Sequence, residues 1–133
     1  MSESTARRIL IVEDNVDSAM SLMMLLEALG HAVEVVHDGE AAVDAAAARR
    51  PEVILMDIGL PGISGYDAAR KIRGASRGES GANAPLIVAL TGWGQEQDRR
   101  RSVDAGIDHH LVKPLDLEKL RRILAAAPPP GAG

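Results

Sequence analysis

Five short segments along the chain have the composition of β-strands, and longer segments with apolar residues at helical spacing separate them. Residues 9–12, 53–56 and 86–90 are apolar throughout. Residues 32–36 include Glu34, and residues 108–112 include His109 and His110. Fully apolar runs of this length are typical of strands buried on both faces, whereas interrupted runs favour the edges of a sheet. We therefore predict five strands, with the second and the fifth at the edges.

The intervening segments carry residues that start and stop helices. Asn15 is a suitable N-cap for a helix that runs to about residue 29, and Gly30 suits the position after its end. The predicted buried face of this helix consists of Ala19, Leu22, Met23, Leu26 and Leu29. Further helices are predicted over about 40–48, 64–73 and 95–105, and after a capping residue at 116. Residues 74–84, rich in Gly, Ser and charge, predict a mobile surface loop.

Strands that alternate with helices indicate an α/β fold. Parallel strands joined by right-handed crossovers place helices on both faces of the sheet. We predict a doubly wound, five-stranded parallel sheet of order 2-1-3-4-5, a flavodoxin-like arrangement with its crevice between strands 1 and 3.

Composition narrows the class of protein. The 133 residues suit one domain, predicted over residues 7–126 with a disordered tail at 1–6 and a Pro/Gly-rich tail at 127–133. A net charge of −4 argues against direct nucleic-acid binding. The chain contains no cysteine, which excludes disulfides and thiolate chemistry. No apolar stretch is long enough for a signal peptide or a membrane span, so we expect a cytoplasmic protein without membrane contact.

Polar side chains stand where four of the predicted strands end. Glu13 and Asp14 follow strand 1, Asp57 follows strand 3, Thr91 follows strand 4 and Lys113 follows strand 5. The carboxyl ends of parallel strands meet at one edge of the sheet, so these groups should converge. Three carboxylates in one crevice repel each other unless a hard cation such as Mg²⁺ binds them. With a hydroxyl and an ammonium beside them, the arrangement is suited to moving a phosphoryl group onto Asp57.

Each of these residues taken singly has a simpler explanation. Glu13 and Asp14 could favour the positive end of the following helix, and Asp57 could cap a turn. Thr91 could pack, and Lys113 could be a solvated amine. Their joint occurrence at the carboxyl ends of the predicted parallel strands favours a functional site.

The motifs at these positions resemble those of a known family. Residues 9–15 read ILIVEDN, residues 89–92 read ALTG, residues 111–114 read LVKP, and Asp57 is followed by Pro61 and Gly65. Over about residues 7–126 the chain resembles a bacterial response-regulator receiver domain of two-component signalling, similar to single-domain chemotaxis regulators and to receivers of hybrid histidine kinases. Residues 108–114 look like those of receivers that are often attached to hybrid kinases, whereas a start at Met1 and the Pro/Gly tail favour a complete small protein.

The resemblance implies a metal site and a phosphoacceptor. Asp57 would take a phosphoryl group from a phosphohistidine on a sensor histidine kinase or a histidine phosphotransfer protein. Asp14 and Asp57 would bind Mg²⁺ directly, together with the backbone carbonyl of Gly59. Glu13 would act on the metal mainly through water. Lys113 would pair with Asp57 and then with the phosphoryl oxygens.

The resemblance also implies a switch. Thr91 would turn its hydroxyl to the phosphoryl group, and the face formed by strand 4, the predicted helix 95–105, strand 5 and the last helix would change conformation. An unknown downstream protein would bind this face, and the chain would be a monomer or a weak homodimer. The receiver would be no enzyme beyond catalysing its own phosphorylation and dephosphorylation.

One position departs from the family pattern, and two others bear on the lifetime of the phosphoryl group. His110 stands where receivers carry Tyr or Phe. A ring that titrates near neutral pH could couple the switch to pH. The simpler interpretation is a histidine at the sheet edge that faces solvent. Gly59 and Trp93 flank the phosphoryl position, and neither readily orients a hydrolytic water. We therefore expect slow self-dephosphorylation.

Three alternatives stay open. A phosphatase of the haloacid dehalogenase type uses a similar Asp nucleophile, but it carries a second Asp where this chain has Gly59. A flavodoxin-like nucleotide binder needs a Gly-rich loop after strand 1, where this chain has carboxylates. A degenerate receiver would act as a binding module without phosphorylation.

Overall fold

The computed structural model describes residues 6–60, 62–75, 85–92, 105–113 and 115–126. Five parallel strands form one sheet in the order β2-β1-β3-β4-β5. The strands are β1 (Arg8–Val12), β2 (Ala32–Val36), β3 (Val53–Asp57), β4 (Leu86–Thr91) and β5 (His109–Val112). The predicted strand order is confirmed, and so is the prediction that strands 2 and 5 lie at the edges.

Four helices are described: α1 (Val16–Ala28), α2 (Gly39–Arg49), α3 (Gly65–Ala75) and α4 (Leu117–Ala126). Asn15 caps α1 as predicted, because its side chain accepts a hydrogen bond of 2.9 Å from the N–H of Ser18. Asp38 does the same for α2 through the N–H of Ala41. Gly30 follows α1 with φ of +100°, a conformation that favours glycine.

Alternate residues of the central strands face two separate cores, which is what a doubly wound sheet requires. Leu10 and Ile54 pack on one face with residues of α2 and α3. Ile11 and Leu55 pack on the other face with residues of α1 and α4. The sheet is therefore covered on both sides, and its carboxyl edge is where strands β1 and β3, adjacent in register at Val12 and Met56, both end.

Some boundaries differ from the predictions. Leu29, predicted to be buried, is 39% exposed, because it is the C-cap of α1 and has left the helical path that directs Ala19 and Leu26 inward. Gly74 and Ala75 belong to α3 and not to a loop. The remainder of the predicted loop, most of the predicted helix 95–105 and both predicted tails apart from Ala6 lie outside the described residues. Within the described residues, no helix is long and apolar enough to cross a membrane.

Candidate functional site

Three carboxylates from two neighbouring strands meet at the carboxyl edge of the sheet. Glu13 and Asp14 follow β1, and Asp57 is the last residue of β3. One carboxylate oxygen from each lies within 4.8 Å of the other two. Glu13 and Asp57 are buried, whereas Asp14 is exposed at the mouth of the cluster. Buried carboxylates this close require a compensating cation.

Lys113 supplies part of that compensation within the protein. Its Nζ lies 2.9 Å from Oε1 of Glu13 and 3.3 Å from Oδ2 of Asp57. The backbone positions this side chain, because the N–H of Lys113 donates a 2.7 Å hydrogen bond to the carbonyl of Thr91 at the end of β4. The lysine thus bridges two of the three carboxylates, and its shorter contact is with Glu13.

Burial, hydrogen bonds and neighbouring charges shift the pKa values of two groups in this cluster. Burial raises the pKa of Glu13, and the charge of Asp57 adds to the rise, while the hydrogen bonds from Lys113 and the N–H of Asn15 oppose it. For Lys113, burial acts to lower the pKa, but the hydrogen bond to Glu13 and the charges of Asp57 and Glu13 outweigh it, so that the pKa is raised. The lysine is therefore held as a cation.

The turn after β3 fixes the Asp57 side chain. The N–H of Gly59 donates a 3.1 Å hydrogen bond to Oδ1 of Asp57, while Oδ2 faces Lys113. The N–H of Ile58 bonds to the carbonyl of Leu90, which continues the pairing of β3 with β4. The two oxygens of Asp57 therefore have different neighbours.

Gly65 allows α3 to begin directly against this turn. A Cβ added at this position would lie 2.6 Å from the carbonyl oxygen of Asp57 and 2.9 Å from Cα of Ile58. Both are backbone atoms that cannot rotate away. The glycine in the motif around Asp57 is thus required by close backbone approach.

Thr91 is fully buried beside the cluster. Its hydroxyl is directed at the carbonyl of Leu111 on β5, with a long oxygen–oxygen distance of 3.5 Å. His110 is half-buried on β5, next to Ala89 in the sheet register, and so does not lie free in solvent. Trp93, Pro61 and Pro114 of the predicted motifs lie outside the described residues.

His37 is a neighbour of the site that the sequence reasoning missed. Its Nδ1 makes a 2.9 Å hydrogen bond with the carbonyl of Glu13, and the N–H of Glu13 bonds to the carbonyl of Val36. These contacts hold the start of the β1–α1 loop against β2. The rule that selected the other site residues, a polar side chain directly after a strand, would have selected His37 as well.

The donor set fits Mg²⁺. Three carboxylates within 4.8 Å of one another offer the oxygen ligands that hard divalent cations prefer, and the exposed Asp14 leaves a side open for water. The fold and the site together define a class of protein: doubly wound α/β domains that carry an acidic cluster and a lysine at the switch point of the sheet, where open α/β sheets bind ligands. Comparison with known proteins agrees with this class.

The chain belongs to the response regulator receiver domain family, whose model matches residues 9–125. Among relatives, response regulator MprA of Mycobacterium tuberculosis is 36% identical over 113 residues, which make up 85% of this chain and 46% of that protein. The chain thus spans about half the length of this relative. It is a receiver domain of two-component signalling, a class of signalling proteins and not of classical enzymes.

Two solved structures of similar fold bear on the site. The receiver domain of a sensor histidine kinase from Pseudomonas aeruginosa, with a magnesium ion coordinated in its active site cleft, is 37% identical and has a TM-score of 0.76, covering 90% of this chain and 94% of that one. A co-crystal structure from Saccharomyces cerevisiae contains the histidine phosphotransfer protein Ypd1 and the receiver domain of Ssk1. The similarity there is 29% identity with a TM-score of 0.80, covering 93% of this chain and 90% of that one.

Proposed function

We propose that this receiver accepts a phosphoryl group on Asp57 from a phosphohistidine of a sensor histidine kinase or a histidine phosphotransfer protein. The observation that carries the proposal is the convergence of Glu13, Asp14 and Lys113 on Asp57 at the carboxyl edge of the sheet. An Oδ atom of Asp57 attacks phosphorus, the phosphorus–nitrogen bond breaks, and the donor imidazole leaves. The product is an acyl phosphate on this chain.

The carboxylates would hold Mg²⁺ for this step. Asp14 and Asp57 are its proposed direct ligands with the carbonyl of Gly59, and Glu13 acts mainly through water. When bound, the ion neutralises charge that develops on the phosphoryl oxygens. Lys113 lies 3.3 Å from Oδ2 of Asp57 and so can follow the new phosphoryl oxygens with a short movement.

Thr91 is proposed to start the conformational change. A phosphoryl group adds about −1.5 to −2 charges and three acceptor oxygens next to a buried hydroxyl whose present contact is long. Turning the hydroxyl from Leu111 to the phosphoryl group exchanges a weak hydrogen bond for a charge-assisted one. The movement would pass to β5, where His110 lies, and to the predicted helix 95–105. A downstream protein would bind this face.

The exposed face of α1 is the proposed docking surface for the phosphodonor protein. Among the described residues, six large apolar side chains are exposed, and five of them lie on α1 or at its C-cap: Val16, Met20, Met24, Leu25 and Leu29. The first three recur every fourth residue and so form one stripe. Exposed stripes of this kind mark interaction surfaces.

The position of α1 beside the acidic cluster favours the phosphodonor protein as the partner that binds this surface. α1 begins at Val16, two residues after Asp14, so a protein that reaches Asp57 from the open edge also covers the start of the helix. A groove of about 430 Å³ beside α1, lined by Leu22, Leu25, Leu90 and Leu115 among others, also includes Glu13 and Lys113 in its wall. The site and the apolar surface are therefore continuous. The Ypd1 complex shows that a receiver of similar fold binds a histidine phosphotransfer protein.

The test is transfer of labelled phosphate from acetyl phosphate, a small donor that needs no docking surface, in the presence of Mg²⁺. Label should appear on the wild type and not on Asp57→Asn. Asp44→Asn, which changes an exposed carboxylate on α2, is the matched control and should retain the label. A folded wild-type protein that takes up no label would instead be a receiver that signals by binding alone.

A further inference from the structure

A histidine at the opposite end of the sheet accepts a hydrogen bond from the backbone. The N–H of Arg7 donates to Nδ1 of His31 at 3.0 Å. A ring nitrogen can accept only when it carries no proton, so this bond requires a neutral imidazole with its proton on Nε2. His37 offers a contrast, because its Nδ1 faces a carbonyl oxygen and therefore bonds as a donor.

The hydrogen bond between Arg7 and His31 lies where β1 and β2 begin and α1 ends. The N–H of Ala32 donates to the carbonyl of Arg7, and the N–H of His31 donates to the carbonyl of Leu26 near the end of α1. The Arg7–His31 contact therefore adds one link to the β1–β2 ladder and ties it to α1. Losing it loosens the start of β1, the strand that leads into Glu13 and Asp14 at its other end.

The charges around His31 also disfavour a proton on the ring. The Arg7 side chain is only 1% exposed, and its guanidinium lies 3.6 Å from Oε1 of Glu52. Arg8 contacts the second oxygen of Glu52 at 3.5 Å, so this carboxylate already faces two cations. Burial lowers the pKa of His31, the charge of Arg7 lowers it further, and Glu52 acts in the opposite direction.

We propose that His31 is an acid-sensitive latch that ties the start of β1 to the end of α1. A proton on Nδ1 turns the acceptor into a donor that faces the N–H of Arg7, and it places a cation beside a buried guanidinium. The bond breaks, and the folded state is destabilised relative to the unfolded chain.

The direction of the pH effect follows from linkage. The unfolded chain takes up a proton at His31 near the ordinary value of 6.5, and the folded chain takes it up only at lower pH. Above 6.5 both states are neutral at this position, so the latch has its full effect. As the pH falls below 6.5, stability is lost, and the loss stops growing once the folded chain is protonated as well.

The test uses circular dichroism to monitor urea unfolding of the wild type and of His31→Asn at several pH values between about 8 and about 5. The asparagine amide oxygen keeps an acceptor near the position of Nδ1 but cannot titrate. The ratio of the folding equilibrium constants, wild type over variant, should fall below pH 6.5 by up to about tenfold per pH unit. His109→Asn, at an exposed position on β5, should keep the wild-type profile.

Parallel pH profiles for the wild type and His31→Asn would overturn the proposal. If the variant does not fold, the ring of His31 can be titrated by NMR in the wild type. Protonation in the folded state at or above pH 6.5 would then overturn it equally.

Discussion

Lys113 is closer to Glu13 than to Asp57, at 2.9 Å against 3.3 Å. A lysine that pairs only with the phosphoacceptor could move freely to the phosphoryl group, whereas this one is shared with a second buried carboxylate. Glu13 therefore has two proposed roles: it supports the metal through water, and it holds the lysine that meets the phosphoryl oxygens. The shared lysine also explains how two buried carboxylates lie together before a metal binds.

Glu13→Gln should weaken Mg²⁺ binding by about 10-fold, because it removes one charge from the cluster and reduces the shorter of the two ion pairs of Lys113 to a hydrogen bond with a neutral amide. The affinity can be measured by Mg²⁺ titration of the fluorescence of Trp93, the only tryptophan. Glu27→Gln removes an exposed carboxylate of α1 and serves as the control. Equal affinities for Glu13→Gln and the wild type would contradict the role of Glu13.

Gly65→Ala should destabilise the fold by about 1–3 kcal/mol, because the new Cβ meets the backbone of Asp57 and Ile58. Gly74→Ala is a matched control in the same helix. A Cβ there has no atom within 4 Å, and the change should stabilise by about 0.5–1 kcal/mol. Chemical denaturation measures both, and a neutral effect at Gly65 would refute the close-approach argument.

Thr91→Ala should still accept phosphate from acetyl phosphate but should lose most of the conformational response, since the hydroxyl that follows the phosphoryl group is gone. The response can be read as NMR shift changes in β5 on phosphorylation. Thr91→Ser retains the hydroxyl and should restore the response. A full response in Thr91→Ala would exclude this residue as the start of the switch.

Met24→Glu should slow phosphoryl transfer from a donor protein about 10-fold while leaving transfer from acetyl phosphate unchanged, because Met24 is 64% exposed on the apolar stripe of α1. Ala48→Glu, on the exposed side of α2, is the control for an added charge. The cognate donor is found by comparing transfer rates across candidate kinases. If Met24→Glu left the rate from the fastest donor unchanged, the docking surface would lie elsewhere.

Hydrophobic patterning was sufficient to predict the strands and, with the rule that parallel strand ends meet, the convergence of Glu13, Asp14, Asp57 and Lys113. Such a rule fixes which strand end a residue occupies but not the direction of its side chain. The contact between Lys113 and Glu13 therefore could not be predicted. The orientation of the Thr91 hydroxyl toward the carbonyl of Leu111 could not be predicted for the same reason.

Leu29 shows a different limit of the sequence pattern. It fits the helical period of α1, but the helix ends one residue earlier, and the pattern alone does not mark that end. His31 shows a third limit. Its position after Gly30 does not indicate that its ring accepts a hydrogen bond from the N–H of Arg7, a residue distant in sequence.

The measurement that tests the central claim most directly follows Trp93 fluorescence while Mg²⁺ and then beryllofluoride, a phosphoryl mimic, are added to the wild type and to Asp57→Asn. We predict a response to beryllofluoride that requires Mg²⁺ in the wild type and is absent in Asp57→Asn. An equal response in both proteins, or no response in a wild type shown to be folded by circular dichroism, would contradict the assignment of Asp57 as the phosphoacceptor.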